Sequence, residues 1–138
     1  MEQAVKERYA NWHSTVQTLV ADGTLLFTPA RVSRIYISGP MSGIDEYNYP
    51  LFHDAAAMFR WFGFSVLNPA EFLGGSADKA RKDYMRAAVE ALLVADALFL
   101  LPNWNNSRGA ILEVQVGQEL NLAMIECKDY TSGSIHVA

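Results

Sequence analysis

Five consecutive side chains without a polar atom, Ala97-Leu98-Phe99-Leu100-Leu101, end abruptly at Pro102. A run this short and this apolar, closed by a residue that cannot donate to a sheet ladder, describes a central strand covered on both faces. Covering both faces requires helices on either side, which constrains the rest of the chain to an α/β arrangement.

The flanking sequence supplies those helices and further strands. Residues 34–38, Arg-Ile-Tyr-Ile-Ser, are β-branched and aromatic and stop at Gly39-Pro40, so they read as a buried strand feeding a loop. Pro50 suits a first helical position, and Leu51, Phe52, Ala55, Met58, Phe59 and Phe62 then share one face up to the stop at Gly63. Residues 64–67 form a second strand closed by Asn68-Pro69. A Gly-Gly-Ser loop at 74–76 leads to a helix over 78–94, with Met85, Ala88, Val89, Leu92 and Leu93 inward. After the strand at 97–101 come a polar loop, a helix over 109–121 and a short strand over 122–126. Alternating strands and helices predict an α/β parallel sheet with right-handed crossovers. Ligands of such sheets bind beyond the carboxyl ends of the strands, here the loops at 39–48, 68–84 and 102–109.

Residues 1–22 read as an extra helix, with Val5, Tyr9, Trp12, Val16, Leu19 and Val20 at helical spacing before Asp22-Gly23. The expected division is an N-terminal helical extension over 1–30, packed on the main domain or on a second subunit, and the main domain over 31–138.

Several function classes are disfavoured by composition. A net charge of −4 without a basic cluster argues against nucleic acid as a partner. No apolar stretch is long enough to span a membrane, and the polar, charged start does not resemble an export signal, so a cytoplasmic protein is expected. Cys127 is the only cysteine, and His13, His53 and His136 are scattered, so no metal site and no cofactor are expected.

Two segments carry candidate chemistry. In Gly39-Pro40-Met41-Ser42-Gly43 the glycines allow close backbone approach and free amides can hold an anion; taken alone, such a turn is more often an ordinary strand-to-helix connection. In Ser107-Arg108-Gly109-Ala110-Ile111-Leu112-Glu113, Ser107 is a good helix cap, the helix-start amides suit a phosphate, and Gly109 clears room. Glu113 lies one turn in, beside Ala110, Gly117 and Leu120. It is equally readable as a carboxylate aimed at a ligand or as one that complements the helix dipole.

The ordered set Tyr-Ile-Ser-Gly-Pro-Met-Ser-Gly at 36–43, Asn48, Phe52, Leu67-Asn68-Pro69, Ala95-Asp96-Ala97, Leu-Pro-Asn-Trp at 101–104, and Ser-x-Gly-Ala-x-x-Glu resembles the nucleoside 2-deoxyribosyltransferase-like superfamily. It is closest in kind to a small phage and bacterial branch known as a domain of unknown function. The resemblance covers residues 34–126 and implies a flavodoxin-like or Rossmann-like parallel sheet of about four to five strands flanked by helices, with Glu113 as a nucleophile attacking C1′ of a sugar and Tyr36 orienting it. A carboxylate suits this role because it can stabilise an oxocarbenium-like transition state and form a covalent ester. Serine at 107 follows the deoxynucleoside 5′-monophosphate N-glycosidases, because a hydroxyl and helix-start amides attract a phosphate that an acid would repel. Arg108 or Arg86 would add a cation. Substrate contacts are then expected from Ser38, Gly39, Pro40, Met41, Ser42, Gly43, Asn48, Trp104, Ser107 and Gly109, with Trp104 and Phe52 walling the base. Taken without the resemblance, Tyr36 reads rather as a packed strand aromatic, Trp104 and Phe52 are at least equally packing aromatics, and Asn48 is equally a helix cap.

One departure matters. The resembled families carry an acid eight residues before the aspartate that corresponds to Asp96, where it serves the leaving base; here that position is Ala88. An engineered substitution, a natural loss, or another donor such as Asp83 or a substrate group would each account for it. The first two fit better, because Ala88 faces inward and neither Asp83 nor Glu90 shares its direction. Asp96 itself reads as a structural acid that binds loop amides. The expected activity is hydrolysis of the N-glycosidic bond of a (deoxy)nucleoside 5′-monophosphate, weakened if the acid is essential. The alternatives are a 2-deoxyribosyltransferase and a nucleotide-binding module without turnover. The resemblance also implies a homodimer.

Overall fold

The computed structural model describes residues 3–75 and 79–138. The expected helix start at Asp78, the end of the expected loop at Ser76, the first two residues, and the side chain of Val5 lie outside the described residues. Four α-helices, α1 (Gln3–Ala21), α2 (Tyr49–Trp61), α3 (Arg81–Val94) and α4 (Arg108–Glu119), accompany five strands. The strands are β1 (Arg34–Ser38), β2 (Ser65–Leu67), β3 (Ala97–Leu100), β4 (Ala123–Asp129) and β5 (Ser134–Val137), in the order β2-β1-β3-β4-β5. The first four pair in parallel and β5 runs antiparallel to β4. Among the described residues no helix is long and apolar enough to cross a membrane.

The α/β sheet expected from the sequence is therefore present, with one element that was not expected. The last strand was expected to stop at 126; instead β4 continues to Asp129, turns at Gly133 (φ +76°), and returns as β5. Because β5 is an edge strand with largely exposed side chains, its sequence shows little of the alternation that marks a half-buried strand.

Strand side chains alternate between two helical layers, as a period of two requires. Ile35, Ile37, Ala97, Phe99, Leu101, Ile125 and Cys127 form one cluster with Tyr9, Trp12, Val16 and Leu19 of α1 and Phe52, Met58 and Phe59 of α2. Tyr36, Leu98, Leu100 and Met124 form the other, with Ala88 and Leu92 of α3 and Val114 of α4. Thus α1 packs on the same chain's sheet: Trp12 is fully buried, lies edge-on to Phe99, and donates its indole N–H to the carbonyl of Tyr130 at 2.7 Å.

The inward face of α3 is narrower than its spacing implies. Ala88 and Leu92 are buried, whereas Val89 and Leu93 are exposed. On α4, the room at Gly117 serves the sheet and not a ligand, since a Cβ there would stand 2.2 Å from Leu98 Cδ1. Leu120, expected beside Glu113, lies just past the helix and is exposed.

Candidate active site

The strand order reverses between β1 and β3, because the connection after β1 leads outward to β2 and the next returns to the other side. Such a switch point parts the loops at the strand ends and leaves a crevice. A cavity of about 650 Å³ occupies it, lined by the loop after β1, the loop after β3, the first turn of α4 and one face of α3. That volume suits a nucleotide-sized ligand.

Glu113 forms part of its wall. Its side chain is 8% exposed, and both carboxylate oxygens are held: Tyr36 donates its hydroxyl to Oε2, and Ser38 donates Oγ–H to Oε1 at 2.7 Å. Both donors project from the same face of β1, two residues apart, so the strand's pleat sets their spacing. No cation pairs with this carboxylate among the described residues. Burial therefore pushes the Glu113 carboxyl up to about 7, against the hydroxyls of Tyr36 and Ser38, which lower it. The Tyr36 phenol is driven well above its ordinary range, by burial first and by the Glu113 charge second. The tyrosine stays a donor, and Glu113 exchanges between acid and carboxylate near neutral pH, its carboxylate form being more basic than that of an exposed glutamate.

The loop following β1 fits closely over the sheet. At Gly39 a Cβ would stand 2.8 Å from Leu101 Cβ, so only glycine lets the loop cross there without displacing Leu101. Pro40, Met41 and Ser42 line the cavity as expected, but Gly43 does not. Asn48 neither lines it nor caps α2 with its side chain; its Nδ2 donates to the carbonyl of Pro40 at 3.0 Å and so tethers the loop. Glu46, Tyr47 and Asn48 carry consecutive φ values of 54°, 55° and 61°. This left-handed backbone is costly for non-glycine residues, and it accompanies the placing of Tyr47 on the cavity wall.

At the other side, Ser107 caps α4 by accepting the amide of Ala110 on its Oγ at 3.2 Å. This bond uses an oxygen lone pair and leaves the hydroxyl proton to donate. Ser107, Arg108, Gly109 and Ala110 all line the cavity, and the first-turn amides there have no preceding helical carbonyl to bond. Arg108 is accordingly at the site, whereas Arg86 is exposed and away from it.

Ala88 is buried and lines the cavity, while Asp83 and Glu90 do not line it. Phe52 forms wall as expected. Trp104 does not; it packs against the cluster around Leu98 and Leu100, as an aromatic in a short 3-10 turn does when its apolar ring finds a core edge. Asp96 is at the opposite end of the sheet, accepting the amide of Arg34 at 2.8 Å and pairing with Arg31, which bears out its structural reading.

Several lining residues were not anticipated from sequence: Lys79, Arg81, Tyr84 and Met85 around the start of α3, Tyr47 before α2 and Tyr49 at its first position, and Phe72. The signal that could have found Arg81 and Tyr84 is their spacing of seven and four residues from Ala88, which puts all three on one helix face. The Tyr84 hydroxyl is buried and close enough to Tyr49 to help raise that phenol, whose main perturbation is burial.

Residues 33–126, well over half of the 138-residue chain, match the family described as Domain of unknown function (DUF4406). No curated protein matches the chain. The matched segment runs from the residue before β1 into β4, and so contains every residue that lines the cavity. The chain belongs to the DUF4406 family.

Proposed function

We propose that this protein hydrolyses the N-glycosidic bond of a (deoxy)nucleoside 5′-monophosphate, with Glu113 as the nucleophile. The observation that carries this reading is a buried carboxylate, oriented by two hydroxyls and without a cation partner among the described residues, about one helical turn below a helix start that lines the same cavity. The phosphate sits at Ser107, the first-turn amides of α4 and Arg108, with the loop at 39–42 opposite. The sugar then lies over Glu113, and the base extends toward α3 and the aromatic wall. One Glu113 oxygen bonds to C1′ as the C1′–N bond breaks, and water releases the sugar phosphate from the resulting ester. The resemblance to the nucleoside 2-deoxyribosyltransferase-like superfamily supports the same assignment.

The test is release of free base from a panel of 5′-monophosphates. Glu113→Gln is expected to lower the rate by roughly three orders of magnitude or more, as loss of a nucleophile does. Tyr36→Phe removes a donor that lowers the Glu113 pKa. Its acid limb, set by ionisation of Glu113 near pH 7, is expected to move to higher pH. A limb that stays in place removes Tyr36 from the role of positioning residue.

A second reading, nucleotide binding without turnover, is favoured by Ala88, which places a methyl group where the resembled families carry an acid. Saturable monophosphate binding with no product, even from Ala88→Asp, would select it. Transfer of the sugar to an added base would select a 2-deoxyribosyltransferase. The resemblance further implies a homodimer, and exposed Val89 and Leu93 on α3 are the apolar surface such pairing would cover. Sedimentation at several concentrations tests that.

A further inference from the structure

The arrangement of charge in the cavity says what kind of base can leave. Among the described lining residues Glu113 is the only carboxylate, and it is committed to C1′ in the reading above, on which this inference rests. A neutral purine or pyrimidine departs as an anion unless a proton reaches it, so such a site needs a second acid. The wall of α3 offers the methyl group of Ala88 there. Tyr49, also in the lining, is a phenol that burial raises above its ordinary range, which makes it a poor proton donor.

The cations are segregated from this region. Lys79, Arg81 and Arg108 lie at the starts of α3 and α4, while Ala88 is seven residues further along α3, about 10 Å down the helix axis. The lining also carries five aromatic rings, Tyr47, Tyr49, Phe52, Phe72 and Tyr84; Tyr84 lies between Arg81 and Ala88 on one face of α3, and Phe72 stands 6.1 Å from the ring of Tyr36, the partner of Glu113. Aromatic rings favour a neighbouring cation, and the Glu113 carboxylate is buried with only hydroxyls as partners. The cavity thus pairs a positive end for phosphate with an aromatic, singly negative end that lacks a cation of its own.

We propose that the substrate is a 5′-nucleotide whose base carries a quaternised, positively charged ring nitrogen system, such as a pyridinium or an N-alkylated purine. The C1′–N bond breaks with its electron pair passing to the ring, which discharges the positive charge and leaves as a neutral heterocycle. A Glu113 oxygen bonds to C1′. Water then attacks C1′, the carboxylate departs, and the proton of the water passes to solvent. One proton is released per turnover, and no acid is consumed at the leaving group.

The experiment compares nicotinamide mononucleotide and 7-methylguanosine 5′-monophosphate with the neutral-base 5′-monophosphates of adenine, guanine, cytosine and uracil. Free base is read by chromatography and proton release by indicator. The expected result is kcat/KM at least 100-fold higher for a quaternised substrate, abolished in Glu113→Gln, with one proton per base. Cleavage of only one of the two quaternised substrates identifies the source of the charge. Ala88→Asp, which supplies an acid, is expected to raise neutral-base cleavage at least tenfold. Neutral nucleotides cleaved by the unmodified protein within tenfold of the quaternised ones would overturn this inference while leaving the glycosidase reading intact. Release of base from none of the nucleotides, or release that persists in Glu113→Gln, would overturn both.

Discussion

The two faces of the sheet are built on opposite priorities. Under α1 and α2 the core side chains are large, aromatic and closed to solvent: Trp12, Phe59 and Phe99 meet pairwise at ring separations of 4.9 to 6.4 Å. Under α3 and α4 the same strands contribute Tyr36, Ser38, Leu98 and Leu100, and the helices contribute small residues and a carboxylate. Burial on the first face is apolar and adds stability. On the second face part of the burial goes to Glu113, which costs free energy whenever it is ionised. The stabilising core and the candidate site are therefore divided between layers that share one sheet, and substitutions on each layer should differ in kind as well as in size.

The largest effect is expected on the aromatic face. Phe99 is fully buried between Trp12 and Phe59. Phe99→Ala should cost about 3–5 kcal/mol of unfolding free energy in denaturant titrations, from lost burial and the cavity left behind. A loss below about 1 kcal/mol would mean that α1 and α2 do not form the stabilising layer.

Next in size is a change of opposite sign on the other face. With the folded-state carboxyl of Glu113 at about 7 against an ordinary 4.5, the unfolded chain ionises first as pH rises. The folded state is then penalised from about pH 4.5 upward, and the penalty levels off above pH 7 at roughly 3 kcal/mol. Glu113→Gln should therefore stabilise the protein at pH 8 by an amount of that order and have little effect at pH 4. Parallel stability curves for the two proteins across this range would remove the desolvation argument.

How much of this was legible in the sequence follows from the same contrast. Strands β1 to β4 were readable because a strand covered on both faces must be apolar along its length, as Ala97 to Leu101 is. The pairing of Ser107 with Glu113 was readable because both belong to one helix, where spacing fixes direction. Lys79, Tyr47 and Phe72 were not, since they come from loops, where sequence spacing does not fix the direction of a side chain, and the left-handed turn at Tyr47 carries no glycine to signal it. Nor was the role of Gly117 readable. Spacing put it on the side of Glu113, and only the position of Leu98 beneath it shows that the missing side chain admits the sheet.

Gly117 yields a smaller prediction. A methyl group there would meet Leu98 Cδ1 and Met124 Cε, the flexible ends of two side chains, so the cost is repacking and not backbone collision. Gly117→Ala should destabilise by about 1–3 kcal/mol, offset in part by the better helix propensity of alanine. Because α4 also carries Glu113, the variant should lose activity out of proportion to its stability, measured on fully folded protein. An unchanged rate would show that the depth of α4 on the sheet is not what positions the carboxylate.

The smallest effect is expected at Leu93, and its neighbour gives it meaning. Leu92 is 1% exposed and Leu93 is 63% exposed, although both fall at positions that helical spacing assigns to the inward side. The sheet offers α3 only a narrow contact, since Leu92 already packs on the cluster of Leu98, Leu100 and Met124 while the cavity takes the space beside Ala88. Leu92→Ala should accordingly cost about 2–5 kcal/mol, and Leu93→Ala less than about 0.5 kcal/mol at dilute protein concentration. If the loss at Leu93 grows as protein concentration rises, that leucine is buried by a second copy, and the open side of α3 is a contact surface in solution.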